Sequence, residues 1–325
     1  MFTILSMDHE RSRVAGRTYG VHRCGGAYGA VAGNRDVMGS EELLGGRYRL
    51  EHVAGHGGMA TVFSAHDTVL DRKVAIKLLQ RRSDSSGVLH ERFDRGARAE
   101  AKIVHPNVVS VHDVGENEDG RPYLVMDYVE GESLAELIHD GPLSSERVAA
   151  IGMGIARALA AAHGLDIFHR DVKPGNVIID RQGIPHLMDF GLARELYDDD
   201  PGVAAPGVLL GTADYVAPEQ ARDGAASPAA DLYALGALMY HALTGAPPFE
   251  GGDALDVTSQ RFEEDPPDLR AALPAADPDL IAVIHALMAR DPVERPWDAA
   301  AVAERLGDIA ARLRATRTAG DATEL

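Results

Sequence analysis

The sequence predicts an α+β fold in which strands come first and helices follow. Three observations carry this. Residues 48–53 alternate apolar and polar side chains, and apolar runs follow at 73–79, 108–114 and 122–129. A glycine-rich turn, Gly55-His56-Gly57-Gly58, lies between the first run and the next. Sustained helix-period apolar stripes follow these runs, from residue 148 onward.

Taken in order, residues 1–43 carry scattered arginines and many glycines with no sustained period, and read as a flexible N-terminal extension. From Arg47 the texture changes. The alternation at 48–53 is that of a half-buried strand, and Lys73-Val74-Ala75-Ile76-Lys77-Leu78-Leu79 gives another strand. The glycine turn between them makes an antiparallel hairpin whose backbone N–H groups could lie close over phosphates. Asn117-Glu118-Asp119-Gly120 has turn chemistry between the runs 108–114 and 122–129. Ser144 is a plausible N-cap for a helix with the stripe Val148, Ile151, Ile155, Leu159 and Ala162. Leu232, Leu235, Leu238, Met239 and Ala242 stripe a second helix, and Asp277-Pro278 opens a third in the cap-then-proline manner. Asp298 opens a fourth, striped by Val302, Leu306, Ile309 and Leu313.

The chain has 325 residues, and 32 Lys+Arg against 50 Asp+Glu give a net charge of −18. That balance opposes non-specific binding to nucleic acid or an anionic membrane surface. One cysteine, Cys24, rules out an intrachain disulfide framework and favours a reducing, cytoplasmic compartment. No stretch approaches the roughly 18 apolar residues of a membrane span. The fourteen histidines show no metal-ligand spacing, and no Gly-x-Ser-x-Gly elbow occurs, so hydrolase and metalloenzyme readings have nothing to rest on.

The chemistry concentrates in His169-Arg170-Asp171-Val172-Lys173-Pro174-Gly175-Asn176, followed by Asp189-Phe190-Gly191. These supply a carboxylate, a cation two residues on, an amide and a second carboxylate. A hydroxyl attacking a phosphoryl group needs such parts: a proton acceptor, a counter-charge for phosphate and oxygen ligands for magnesium.

With Gly55-His56-Gly57 standing about 20 residues before Val74-Ala75-Ile76-Lys77, and with Ala217-Pro218-Glu219 downstream, the chain from about residue 48 to 306 resembles the eukaryotic-type Ser/Thr protein kinases of bacteria. The resemblance implies a bilobal fold: a protein kinase domain over 44–310, with a small antiparallel β lobe carrying one helix (44–127), a larger, mostly helical lobe (131–310) and a C-terminal tail (311–325). It implies ATP as the phosphoryl donor, with magnesium (or manganese), and protein Ser/Thr hydroxyls as acceptors. Nucleic-acid binding and membrane insertion are not expected; a homodimer for autophosphorylation is. Asp171 would orient the substrate hydroxyl, Lys173 would neutralise the γ-phosphate, and Thr212 would contact both. Lys77 would hold the α/β-phosphates, and Asn176 and Asp189 the metal. Gly55, His56, Gly57, Gly58 and Val62 would cover the nucleotide, with Ala75, Met126, Asp127 and Val129 around the adenine. His169, Asp231 and the Glu219–Arg295 pair would be structural.

The sequence departs from the family pattern in two places. The glutamate that normally pairs with the strand lysine falls at Gly96, and Glu100 stands one helical turn later on the same face. Either Glu100 substitutes or the lysine is poorly held. The second outcome would favour a pseudokinase, a nucleotide- or partner-binding module without turnover. The other departure is between Arg194 and Gly211, where there is no Ser or Thr, only Tyr197 beside Asp198-Asp199-Asp200. Arg170 normally pairs with a phosphothreonine of that loop. Activity is therefore expected without loop phosphorylation. Mapping an essential phosphate onto Tyr197 or Thr212 by mass spectrometry would contradict this.

Overall fold

The computed structural model describes residues 43–57, 60–80, 88–190, 213–224, 226–249, 264–296 and 298–321. Residues 1–42 of the expected extension, Gly58, Tyr197 to Asp200 and Thr212 lie outside the described residues, whereas Leu43, the last residue of that extension, begins a strand.

Strands β1 (Leu43–Leu44), β2 (Tyr48–His56), β3 (Ala60–Asp67) and β4 (Arg72–Leu79) precede helix α1 (Val88–Glu100), and β5 (Val111–Glu116) and β6 (Pro122–Asp127) follow it. These six strands form one sheet in the order β1-β2-β3-β4-β6-β5, antiparallel throughout. The two-residue period of β4 decides what the sheet does. Val74, Ile76 and Leu78 point into an apolar cluster with Tyr48, Tyr123 and Val125. Ala75 and Lys77 therefore face the other way, and Ala75 joins a separate cluster with Met126 and Ile178. The turn between β5 and β6 closes as its residues require: the Asn117 carboxamide accepts the N–H groups of Asp119 and Arg121, and Gly120 takes φ +70°.

The run 108–114 reads as strand throughout, but β5 begins only at Val111. Val108 and Val109 are drawn to another partner: Val109 donates its N–H to Leu187 O (2.9 Å) and Leu187 donates back to Asn107 O (2.8 Å). This ties the sheet lobe to the chemistry-bearing segment of the second lobe.

That lobe begins with β7 (Gly131–Ser133), α2 (Leu134–His139) and α3 (Ser145–His163), and continues through β8 (Val177–Asp180) and β9 (Pro185–Leu187). Strands β7, β8 and β9 form a small antiparallel sheet. Ser133 and Glu136 make a reciprocal capping box on α2, and Ser144 caps α3 through the N–H of Arg147. Then come α4 (Pro218–Asp223), α5 (Pro228–Thr244), α6 (Leu269–Ala272), α7 (Pro278–Leu287) and α8 (Ala299–Asp321). Helix α5 is buried nearly all round, as its lack of a polar face dictates. The three helices α3, α5 and α8 meet at Gly152, where a Cβ would lie 2.7 Å from Met239 Sδ and 3.1 Å from Leu306 Cδ1.

The segment 311–325, expected as a tail, is instead helical as far as Asp321. Arg312 binds Asp277 through both terminal nitrogens (2.9 and 3.0 Å), and Arg314 and Arg317 reach Glu146 (3.2 and 2.9 Å). These contacts give the helix end a surface to lie on.

Arg295 is the main polar fixture of this lobe. Its guanidinium is fully buried and pairs with Glu219 at 2.6 and 2.9 Å. It also donates to the carbonyls of Ala289, Ala229 and Arg290, and lies over the Tyr233 ring. The planar fork places all five N–H groups, which an ammonium cannot reproduce. Arg295→Lys is expected to lower unfolding free energy by about 3–5 kcal/mol, close to the loss from Arg295→Met. Urea denaturation checks this; a lysine variant as stable as the parent would refute it.

Candidate active site

The segment 169–176 is shaped from behind by one carboxylate. Asp231, on α5, accepts the N–H of His169 and the N–H of Arg170 at 2.8 Å each, and also contacts His163 Nε2 at 2.8 Å. Arg170 is thereby held at φ +66°, a left-handed conformation costly for a residue with a Cβ. Gln220 of α4 donates to the Arg170 carbonyl (3.0 Å), fixing the following peptide of the same residue.

His169 is fully buried. Its Nε2 meets Met188 O (3.0 Å), its Nδ1 accepts the Asp171 N–H (3.2 Å), and its ring lies 4.6 Å from that of Phe190. Burial lowers its pKa despite the carboxylates around it, so it stays neutral. It acts as a strut between the two motifs, in keeping with the structural role the resemblance implies. Asp189, next along, is itself at φ +67°.

Asp171 Oδ2 accepts from Lys173 Nζ (2.7 Å) and from Asn176 Nδ2 (3.1 Å); the same amide nitrogen donates to the Asp171 carbonyl (2.8 Å). Asp171 Oδ1 has no hydrogen-bond partner among the described residues. One carboxylate oxygen is thus committed to orientation.

Across the cleft, Lys77 Nζ lies 2.8 Å from Asp189 Oδ1. Burial alone would lower the Lys77 pKa, but the charge of Asp189 beside it, joined by Glu100 and Asp171, outweighs burial and raises it. Glu100 ends α1 with its side chain inside the protein. Burial, reinforced by the charge of Asp189, pushes its carboxyl up to about 8, against the opposing pull of Lys77 and of the Phe190 and Asp189 N–H groups.

The apolar part of the cleft is built from both lobes. Ala54, Ala75, Val109 and Met126 from the sheet side cluster with Ile178 of β8 and Met188, and Val62, Tyr128 and Val129 pack against them. Val62, Ala75, Met126 and Val129 are among the residues expected from the sequence; Ala54, Ile178 and Met188 are not. The apolar run Val177-Ile178-Ile179 directly after Asn176 was the available signal. Asp127 lies on the passage from β6 to β7, donating its N–H to Ser110 O (3.0 Å) while its carboxylate meets His112 (2.6 Å). Gly55 and His56 end β2, opposite Val62 and Thr61, and Gly57 donates its N–H to Ala60 O (2.9 Å). Gly58 and Thr212 lie outside the described residues.

The donor set suits magnesium. Asn176 and Asp189 offer only hard oxygen ligands, and no cluster of three or more His, Cys, Asp or Glu able to hold a metal occurs among the described residues. Magnesium is typically held by one or two carboxylates together with substrate phosphates. Asp231→Ala should strand two buried N–H groups and cost about 2–4 kcal/mol. Asp231→Asn, which keeps an acceptor, should cost less than half as much; equal losses in urea denaturation would show that the carboxylate does not shape the loop.

Comparison with known proteins covers the same part of the chain. The family profile described as protein kinase domain matches residues 48–305. PknL of Mycobacterium tuberculosis, a serine/threonine-protein kinase, is 40% identical over 284 residues, 87% of this chain and 70% of that protein. A probable serine/threonine-protein kinase of Streptomyces coelicolor, SCO3848, is 40% identical over 259 residues, covering 78% of this chain. Probable PknB of Corynebacterium glutamicum is 38% identical over 275 residues, 82% of this chain. The matches span only 38% and 43% of the length of these last two relatives. Among solved structures, the PknI kinase domain of Mycobacterium tuberculosis superposes with TM-score 0.64 at 27% identity, covering 84% of this chain and 99% of that one. Rad53 1–466 in complex with AMP-PNP superposes with TM-score 0.65 at 25% identity, covering 79% of this chain and 63% of that one.

Proposed function

This chain belongs to the protein kinase family, in its bacterial Ser/Thr branch, and from that premise we propose that it transfers the γ-phosphoryl group of ATP to serine and threonine hydroxyls of proteins. The observation that carries the proposal is the Asp171 carboxylate, with Oδ2 held by Lys173 and Asn176 and Oδ1 without a hydrogen-bond partner among the described residues.

In this reading the substrate hydroxyl donates its proton toward Asp171 Oδ1 as its oxygen bonds to the γ-phosphorus, and the bond from that phosphorus to the β–γ bridging oxygen breaks, releasing ADP. Lys173 offsets the charge on the transferring group. Lys77 holds the α/β-phosphates. Val62 and Ala75 cover the adenine, Met126 lies behind it, and Ile178 and Met188 line the opposite wall; Asp127 and Val129 offer backbone groups to the base. Asn176 and Asp189 would hold magnesium, which when bound neutralises phosphate charge. Thr212 would bridge Asp171 and Lys173, and Gly55, His56, Gly57 and Gly58 would cover the phosphates. AMP-PNP in the related Rad53 structure supports an adenine nucleotide as the ligand. Autophosphorylation between two copies belongs to the same proposal, as does a cytoplasmic setting, supported by the single cysteine. Among the described residues no helix is long and apolar enough to cross a membrane.

Gly96 favours the competing reading, nucleotide binding without turnover. The two are separated by incubating the purified protein with γ-labelled ATP, magnesium and a generic Ser/Thr protein substrate. Phosphate transfer is expected from the parent, and a drop of about 10³-fold or more from Asp171→Asn, since general-base positioning typically contributes 10²–10⁴. Equal transfer by both proteins would end the kinase reading.

A further inference from the structure

A cavity of about 500 Å³ has walls from both lobes. Lys73 of β4, His105 and Ser110 ahead of β5, and Tyr128 between β6 and β7 line it, together with Gln182 and His186 of the β8–β9 hairpin. None of Lys77, Asp171, Asn176 and Asp189 is among the residues lining it, so it is distinct from the proposed phosphoryl-transfer centre. Its size suits a small ligand, since ligand pockets run from roughly 300 to 1,000 Å³.

The carboxylates of the wall are already used. Asp127 meets His112 Nε2 (2.6 Å) and Glu130 meets Arg181 Nη1 (2.9 Å). Asp180 meets His186 Nε2 (3.1 Å) and also accepts the N–H groups of Gln182 and Ile184. Donors, by contrast, are left over. Lys73 Nζ rests 3.8 Å from the centroid of the Tyr128 ring and makes no ion pair among the described residues. The Ser110 hydroxyl has no hydrogen-bond partner among them either. His105 Nδ1 accepts the Asn107 N–H (3.1 Å), so the proton of the neutral ring sits on Nε2 and is available to donate. The cavity is therefore rich in donors and poor in acceptors, with Lys73 as its uncommitted cation.

We propose that this cavity binds a small organic anion, a carboxylate or a phosphate monoester. Lys73 holds its charged group, Ser110 and the His105 Nε2–H supply neutral donors, and Pro106 and Val108 offer apolar surface to its body. The bound anion is coupled to the adjacent cleft, because Val109 and Val129 line the cavity and also join the apolar cluster around Ala75 and Met126. In the same wall, Ser110 O accepts the Asp127 N–H (3.0 Å). Such coupling is reciprocal, so anion and nucleotide alter each other's affinity by the same factor. The coupling rests on the nucleotide-binding reading, whereas occupancy of the cavity does not.

The full chain is titrated with phenyl phosphate and with benzoate, and binding is followed by saturation-transfer NMR. Saturable binding at roughly millimolar concentration is expected in the absence of nucleotide. Lys73 is exposed, so Lys73→Gln should fold as the parent does. It should weaken binding about tenfold, the loss of one hydrogen bond to a charged group. Lys77→Met, which removes the cation of the nucleotide site, should change the dissociation constant by less than about twofold. Tighter binding of phenyl phosphate marks a phosphate monoester as the ligand class, and tighter binding of benzoate a carboxylate. No saturable binding, equal affinity in Lys73→Gln, or a comparable loss in Lys77→Met would overturn the site. An anion dissociation constant that stays the same when ADP and magnesium saturate the protein would overturn the coupling. Binding of ADP is measured alongside, so failure of the nucleotide reading and failure of this one are distinguishable.

Discussion

The site depends on the carboxylate of Asp231. It is 1% exposed, sits in the first turn of an otherwise apolar helix, and spends its acceptor capacity on two successive backbone N–H groups and a histidine. Burying such a group is costly unless each lone pair is used. Here that use fixes the peptide before Asp171 in a conformation it would not keep alone. The orientation of Asp171 and Asn176, and the placing of His169 against Phe190, all follow from that peptide. The candidate catalytic groups sit on loops, but the loops are set by a helix buried in the lobe's largest cluster.

The second constraint is the division of β4 into two faces. One face belongs to the core of the sheet lobe. The other presents Ala75 to the cleft, where the apolar residues come from both lobes. One residue of the wall, Ala75, and the charged Lys77 two residues beyond it therefore come from a single strand. Asn107 adds a further link, donating its amide to Pro185 O (2.8 Å) from a segment between the lobes. The two halves of the cleft are joined by hydrogen bonds as well as by the chain connection.

Much of this was legible in the sequence, because the informative features are local. The 3.6-residue stripes of α3, α5 and α7 are buried as their spacing implies, and Ser144 and Asp277 cap the helices they precede. The segments around Asp171 and Asp189 are compact, so their chemistry could be read without the fold. What could not be read required long-range partners. Residues 108 and 109 look like strand by composition, but they join Leu187, nearly eighty positions away, instead of β6. The end of α8 is polar and small, and carboxylates distant in sequence, Glu146, Asp277 and Asp279, give it a place to lie. Ile178 belongs to a run that could serve any core, and only the closing of the two lobes turns it toward Met126.

The docking of α8 on α3 has a consequence for how the protein comes into being. The two helices share the most extensive contact between any elements of the described chain, yet roughly 150 residues separate them. Such distant pairings are slow to form because a long loop must close before any contact rewards it. On the ribosome, α3 must wait with its apolar face uncovered until nearly the whole lobe has been made. Until then its alanine-rich surface is open to wrong partners, so the second lobe should depend more on chaperones during synthesis than the sheet lobe, whose strands pair mostly with near neighbours.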